Sequence, residues 1–177
     1  MLVWRIGHAG ALSLGDLGFG KLGCGAALGD GRWHAGCSGA RQVVYCASSR
    51  ALCQLERRVH CNGATPKNMA LIRLEISRKS HLNAATDLAL PADWRQNQGA
   101  TQTIGMRWLA SKSSLGLWVP SFVEPAENNL LLNPAHPDFA RVGWSLRKIR
   151  LPLTPGCFKT HLTYSRNVMN TLFGSSA

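Results

Sequence analysis

Arg32, Tyr45 and Glu56 fall within 25 residues of one another, in the order basic, aromatic, acidic. Ser121 and Asn129 stand in a second stretch, PSFVEPAENNLLLNP, beside a proline-bounded apolar run. Together these residue types suit a pocket for an anionic ligand that carries aromatic rings, such as a nucleotide. A guanidinium grips phosphate through paired hydrogen bonds, and Gly31 before Arg32 lets the main chain approach a ligand. A tyrosine stacks on a ring or bonds a ribose hydroxyl. One carboxylate in such a pocket can stabilise positive charge developing on a ribosyl carbon, or orient an attacking nucleophile.

Plainer roles stand beside these. Arg32 can cap or salt-bridge a loop while Trp33 enters the core, and Tyr45 can be a core aromatic with its hydroxyl at the edge. Glu56 can pair with Arg57, Arg58 or Arg32. It is the most unusual of the three, the only acid between Asp30 and Glu75. It lies near the apolar side of a predicted helix, where an unpaired carboxylate is costly. Ser121 has no GxSxG around it and no evident carboxylate–histidine pair. A hydrogen bond to phosphate or to a ligand amide therefore fits it better than a hydrolase triad. Asn129 and Asn133 bracket Leu130–Leu132 and either tie down turns or reach the pocket. The histidines show no HExxH or paired ligand spacing, and the glycine-rich residues 15–31 contain neither a dinucleotide-fold nor a P-loop signature.

The elements that must position these residues are short. LVWRI at 2–6 predicts an opening strand and QVVYCA at 42–47 a second. Ser48 and Ser49 are candidate N-caps for a helix reaching about His60. Leu52, Leu55 and Val59 recur at three and four residues and are expected on its buried side, with Glu56 projecting near them. MALIRLEIS at 69–77 and LWVPSFV at 117–123 predict strands, TQTIGMRWLAS at 101–111 a short helix, and NLLLNP at 129–134 a short element ended by Pro134. AHPDF reads as a turn. RKIRLPL at 147–153 is expected as a terminal edge strand, because Pro152 cannot serve an interior ladder. Residues 7–41 are expected to be irregular and ligand-facing, with a short helix around Leu12–Leu17. Short strands with interspersed helices predict a single compact α+β domain.

At 177 residues, 45% of them hydrophobic, the chain has the length and composition of one globular domain. No stretch reaches the ~20 apolar residues that span a bilayer, and MLVWRIGHAG lacks the pattern of a signal peptide. The six cysteines contain no CxxC, and Cys46 and Cys53 sit in apolar surroundings that suit small buried thiols. Reduced cysteines and a cytoplasmic location are expected. The formal charge is +11, and after Asp138 no acid occurs while six Lys or Arg follow. Such asymmetry suits an acidic protein partner, an anionic substrate or a basic nucleic-acid-binding module. The basic residues are mostly scattered, however, and no helix-turn-helix or stacking platform is evident.

In order, LVWRI, GRW, VVY, the helix holding Glu56, ALIRLEI, VPS and AENNLLLNPAHPDF resemble the RES-domain family over residues 2–153. The resemblance implies a fold similar to the ADP-ribosyltransferases, a RES-like domain over 1–153 and a divergent tail over 154–177. It implies a toxin that takes NAD as substrate and cleaves the nicotinamide–ribose bond by hydrolysis, or by phosphorolysis with inorganic phosphate as co-substrate. Cellular NAD would be depleted and growth arrested. Mono-ADP-ribosylation of a protein is the alternative activity. Carried over by motif, Glu56, Arg32 and Tyr45 are the catalytic residues, and Arg32, Tyr45, Ser121, Asn129 and His34 bind substrate, with no metal. The implied partner is a cognate Xre-like antitoxin. A homodimer within the complex is one assembly the resemblance allows, with nucleic acid contacted mainly through the antitoxin and no membrane involved. Two departures stand out. His34 replaces the asparagine usual after GRW, and after Ser145 the chain diverges, with RKIRLPLTPG in place of the customary closing strand.

Overall fold

The computed structural model describes residues 1–8, 29–36, 42–61 and 68–148. The helix expected near Leu12–Leu17, most of the glycine-rich segment, residues 149–153 of the expected last strand and the tail over 154–177 lie outside these. Seven strands form one mixed sheet: β1 (Leu2–His8), β2 (Val44–Ala47), β3 (Met69–Glu75), β4 (Leu82–Ala84), β5 (Gly116–Pro120), β6 (Asn128–Leu132) and β7 (Gly143–Lys148). Their order across the sheet is β4-β5-β6-β2-β1-β3-β7. Only β4 and β5 pair in parallel; the other neighbours are antiparallel. Among the described residues two α-helices, α1 (Arg50–His60) and α2 (Gln98–Ser111), join the sheet in an α+β domain.

Alternation along the strands divides the core in two. Val44, Cys46, Leu130, Leu132, Ile72 and Leu74 point to one face, where Phe139 and Val142 cover them. The intervening residues point to the other face and meet the helices. Val43, Leu117, Val119 and Leu131 pack with Trp108 and Leu109 of α2 and with Trp33. Ile6, Ala47, Met69 and Leu71 pack with Leu52 and Cys53 of α1. Leu130, Leu131 and Leu132 are all completely buried, because β6 is an interior strand covered on both sides. Each such leucine contributes roughly 1.5–3 kcal/mol by leaving water. Tyr45 and Asn129 share the helix-bearing face, near the seam between the α1 and α2 clusters.

Helix α1 is started by Ser49, whose Oγ accepts from the Leu52 N–H at 3.0 Å. Glu127 accepts from the hydroxyls of both Ser48 and Ser49 at 2.9 and 2.8 Å, which fastens the N-terminus of α1 to the β5–β6 connection. The buried side of α1 differs from the expected one. Leu52 is buried, but Leu55 is 36% and Val59 52% exposed. The sheet lies between the directions of Leu52 and Cys53, and at 3.6 residues per turn Glu56 lies inside that arc while Leu55 falls outside it. Val59 lies a further turn along, where the helix has less beneath it.

Helix α2 begins one turn earlier than its apolar pattern suggests, capped by Asn97, whose Oδ1 accepts from Ala100 N–H at 3.0 Å. The short strand β4 carries no recognisable sequence signal, and the AHPDF turn leads into a 3-10 helix over Pro137–Arg141. Strand β7, at the sheet edge next to β3, runs from Gly143 and, among the described residues, coincides with the expected 147–153 strand only at Arg147 and Lys148.

Candidate active site

Glu56 projects from α1 toward the start of β6 and the end of β5. Its Oε1 accepts from Ser121 Oγ at 2.8 Å and from Asn129 Nδ2 at 2.6 Å. Ser121 follows Pro120, where β5 stops, and is completely buried. Its oxygen also accepts from the N–H groups of Val123 and Glu124 at 3.1 and 2.9 Å, so its hydroxyl proton is directed at Glu56. Asn129 sits opposite Ala47 in the β2–β6 ladder. The second carboxylate oxygen, Oε2, lies 3.6 Å from His60 Nε2, one turn along α1. Burial opposes ionisation of Glu56, but His60, Asn129 and Ser121 together outweigh it and hold the carboxyl below its ordinary range. None of the arginines considered as structural partners from sequence forms an ion pair with Glu56 among the described residues.

Arg32 lies in a tight turn closed by Gly31 and His34, with Gly31 N–H to His34 O at 2.9 Å. Helix α2 holds this turn by its backbone. Thr101 Oγ1 donates to Arg32 O at 2.6 Å, and Gln102 Nε2 donates to Gly31 O at 2.9 Å. Gly105 makes the approach possible, since a Cβ there would stand 1.9 Å from Trp33 O. Gly31 matters for a different reason than ligand access. A Cβ on it would collide with the His34 ring and the Tyr45 hydroxyl, at 2.3 and 2.9 Å.

Tyr45 and His34 form one unit. Tyr45 Oη is 2.8 Å from His34 Nδ1, and His34 Nε2 is 3.1 Å from Gly29 O. A carbonyl only accepts, so Nε2 carries the proton and Nδ1 accepts from the phenol. Burial raises the Tyr45 hydroxyl above its ordinary value, which keeps it a donor. His34 itself is buried, so its bond to Tyr45 and its carbonyl contact are made inside the protein.

The Arg32 guanidinium lies 4.1 Å from the centre of the Phe122 ring and 5.9 Å from that of Trp94. Its Nη1 donates to the carbonyls of Trp94 and Arg95 at 3.3 and 3.2 Å. Contacts thus run from Glu56 through Ser121 to Phe122 and Arg32. Ser121 and Asn129 are joined directly to Glu56; Tyr45 joins the Arg32 turn through His34. Asn133 instead ties α2 to the turn after β6, donating to Leu109 O at 3.0 Å. His60, Arg95, Trp94 and Phe122 were not singled out in the sequence. His60 had a local signal, its four-residue spacing from Glu56 on a helix. The other three had none. Among the described residues no group of three His, Cys, Asp or Glu converges as metal ligands.

Residues 2–154 match the RES domain family. The chain belongs to the RES-domain family. A relative named Prs ADP-ribosylating toxin, from Sphingobium sp. strain YBL2, is 40% identical over 133 residues, covering 72% of this chain and 80% of its own length. A Toxin Res from Yersinia enterocolitica is 38% identical over 137 residues, covering 75% and 87% respectively. Among solved structures, the RES domain described here shares its fold with a chain of the M. tuberculosis MbcT–MbcA toxin–antitoxin complex. The TM-score is 0.59 at 15% identity, covering 87% of this chain and 84% of that one.

Proposed function

We propose that this RES-domain chain is the toxin of a toxin–antitoxin pair, and that it cleaves the nicotinamide–ribose bond of NAD and transfers ADP-ribose to a protein. The observation that carries this reading is the ionised Glu56 carboxylate, one oxygen of which is immobilised by Ser121 and Asn129. A fixed negative charge lowers the energy of a ribosyl carbon that becomes cationic as its bond to nicotinamide lengthens. The bonding pair leaves with the nicotinamide nitrogen, which is cationic in NAD and neutral once released. An acceptor nucleophile then bonds to the ribosyl carbon, and its proton passes to Glu56 Oε2 or to solvent. Arg32 bonds phosphate, Tyr45 packs against the nicotinamide or its ribose, and Asn129 and Ser121 hold the carboxylate. His34 acts through Tyr45.

The name of the Sphingobium relative, an ADP-ribosylating toxin, supports a protein acceptor, the alternative in the family resemblance, over water or phosphate. Hydrolysis and phosphorolysis break the same bond and remain the second reading. An ADP-ribosyltransferase-like fold is part of this reading, and the likeness to a chain from a toxin–antitoxin complex supports a cognate antitoxin as partner. The test uses NAD labelled in its adenylate half, incubated with the purified chain, with and without Prs and with and without inorganic phosphate. Labelled protein that is lost in Glu56→Gln is the expected result. Free ADP-ribose, or its phosphorylated form, with no labelled protein would move the assignment to hydrolysis or phosphorolysis. No nicotinamide release in any arm overturns both.

A further inference from the structure

Arg95 repeats what Arg32 does at the same two rings. Its guanidinium lies 4.7 Å from the centre of the Trp94 ring and 5.3 Å from that of Phe122. Its Nη1 donates to Phe122 O at 2.9 Å and its Nη2 to Ser121 O at 3.2 Å. Two guanidinium groups therefore share one aromatic pair. Among the described residues neither has a carboxylate within ion-pair distance. Their protein acceptors are main-chain carbonyls, which supply only partial charge. Burial and the proximity of Arg95 both make the charged form of Arg32 less favourable than usual. Like charges held this close without a counter-ion are poorly compensated, and a bound dianion relieves them.

We propose that Arg95 is a second substrate-binding arginine which, with Arg32, seats the pyrophosphate of a dinucleotide; this rests on the reading of the chain as an NAD-consuming enzyme. A pyrophosphate diester carries one negative charge on each phosphoryl group, so two guanidinium groups match it in number. The arrangement relative to Glu56 also fits. Ser121 donates through its hydroxyl to Glu56 and accepts through its carbonyl from Arg95, so one residue stands between the carboxylate and the arginine pair. In NAD the nicotinamide ribose bears the pyrophosphate directly on its 5′ oxygen, so a ribosyl carbon beside Glu56 brings the phosphates toward Arg95. Phe122, whose ring centre lies 4.1 and 5.3 Å from the two guanidinium groups, is 43% exposed, which leaves the seat open to solvent.

The experiment measures two things on the wild-type chain and on Arg95→Gln. One is the calorimetric affinity for ADP, with adenosine as the uncharged control; the other is the KM and kcat for nicotinamide release from NAD. Arg95→Gln is expected to weaken ADP binding and to raise KM by about tenfold or more, the size expected for a charged hydrogen-bonding partner. Adenosine affinity and kcat should change by less than about threefold. Arg95→Lys, which keeps the charge and one carbonyl bond, should recover part of the loss and guards against a folding defect in the first variant. ADP affinity unchanged in Arg95→Gln overturns the proposal, as does a fall in kcat with KM and ADP affinity intact. So does a wild-type chain that does not bind ADP. ADP binding requires no turnover. A chain that binds ADP through Arg95 but releases no nicotinamide therefore keeps the anion seat and refutes the NAD-cleaving reading.

Discussion

The two ends of the candidate site are built on opposite principles. At the Glu56 end a single negative charge meets two neutral donors and a histidine, and the Ser121 hydroxyl oxygen is itself anchored by two backbone N–H groups. At the Arg32 end two positive charges stand against two rings and a set of carbonyls, with no opposing carboxylate among the described residues. The first end is complete within the protein and pre-organised for chemistry. The second lacks an opposing carboxylate among the described residues, which is what the proposed anion seat requires. A polar pocket therefore need not be uniformly satisfied: in the proposed function the groups that act on the reacting atoms are the locked ones, and the groups that recruit the ligand are those left short of charge.

The largest test of this contrast removes the charge at the locked end. Glu56→Gln keeps an oxygen for Ser121 and Asn129 but loses the negative charge. Nicotinamide release should fall about 10²- to 10³-fold, while ADP affinity changes little, as read by steady-state assay and calorimetry. Equal losses in both would mean that the two ends are not separable. Arg32→Ala is the complementary break, expected to raise the KM for NAD by roughly 10- to 100-fold with a smaller effect on kcat.

Gly105→Ala tests the support of the arginine turn. The new methyl would meet Trp33 O at 1.9 Å, so α2 or the turn must move, at a cost of about 1–3 kcal/mol. Urea unfolding should show the loss of stability, and KM should rise with it. Tyr45→Phe should cost about 1 kcal/mol for the bond to His34, seen in the same unfolding assay.

The smallest expected effect is in pH. The Glu56 carboxyl is held below its ordinary range in the folded chain, so the stability it contributes is present above the unfolded value and is lost as pH falls through the lowered folded value. Activity should accordingly persist into mild acid. Asn129→Ala removes one of the donors that lower the carboxyl, and should move the acid limb of the pH–rate profile upward. An unmoved limb would mean that Asn129 does not hold the carboxylate in its working state.

Much of the scaffold was legible because its signals are local. The alternation in MALIRLEI, the uninterrupted Leu130–Leu132 and the serine pair before α1 each report on residues a few positions apart. The helix face was misread because Leu52, Leu55 and Val59 satisfy the spacing of a buried stripe. Which arc is buried depends on where the sheet lies beneath it. Gly31 was read as making room for a ligand, yet the space beside it is filled by His34 and Tyr45. Arg95 carries no signal because a loop arginine has no periodicity, and Phe122 falls within the strand expected over 117–123, which stops at Pro120.

The order of motifs from LVWRI to AENNLLLNPAHPDF is a property of the sequence alone, and it sufficed to name the family and to select Arg32, Tyr45, Glu56, Ser121 and Asn129 as candidates. Their connection was decided by tertiary structure. Glu56 meets Ser121 and Asn129 across 65 and 73 positions of chain, and Arg32 meets Arg95 across 63 positions because its turn is held against α2 and the loop that precedes it. Hydrogen bonding and charge compensation fall off within a few ångströms, whereas sequence records only distance along the backbone.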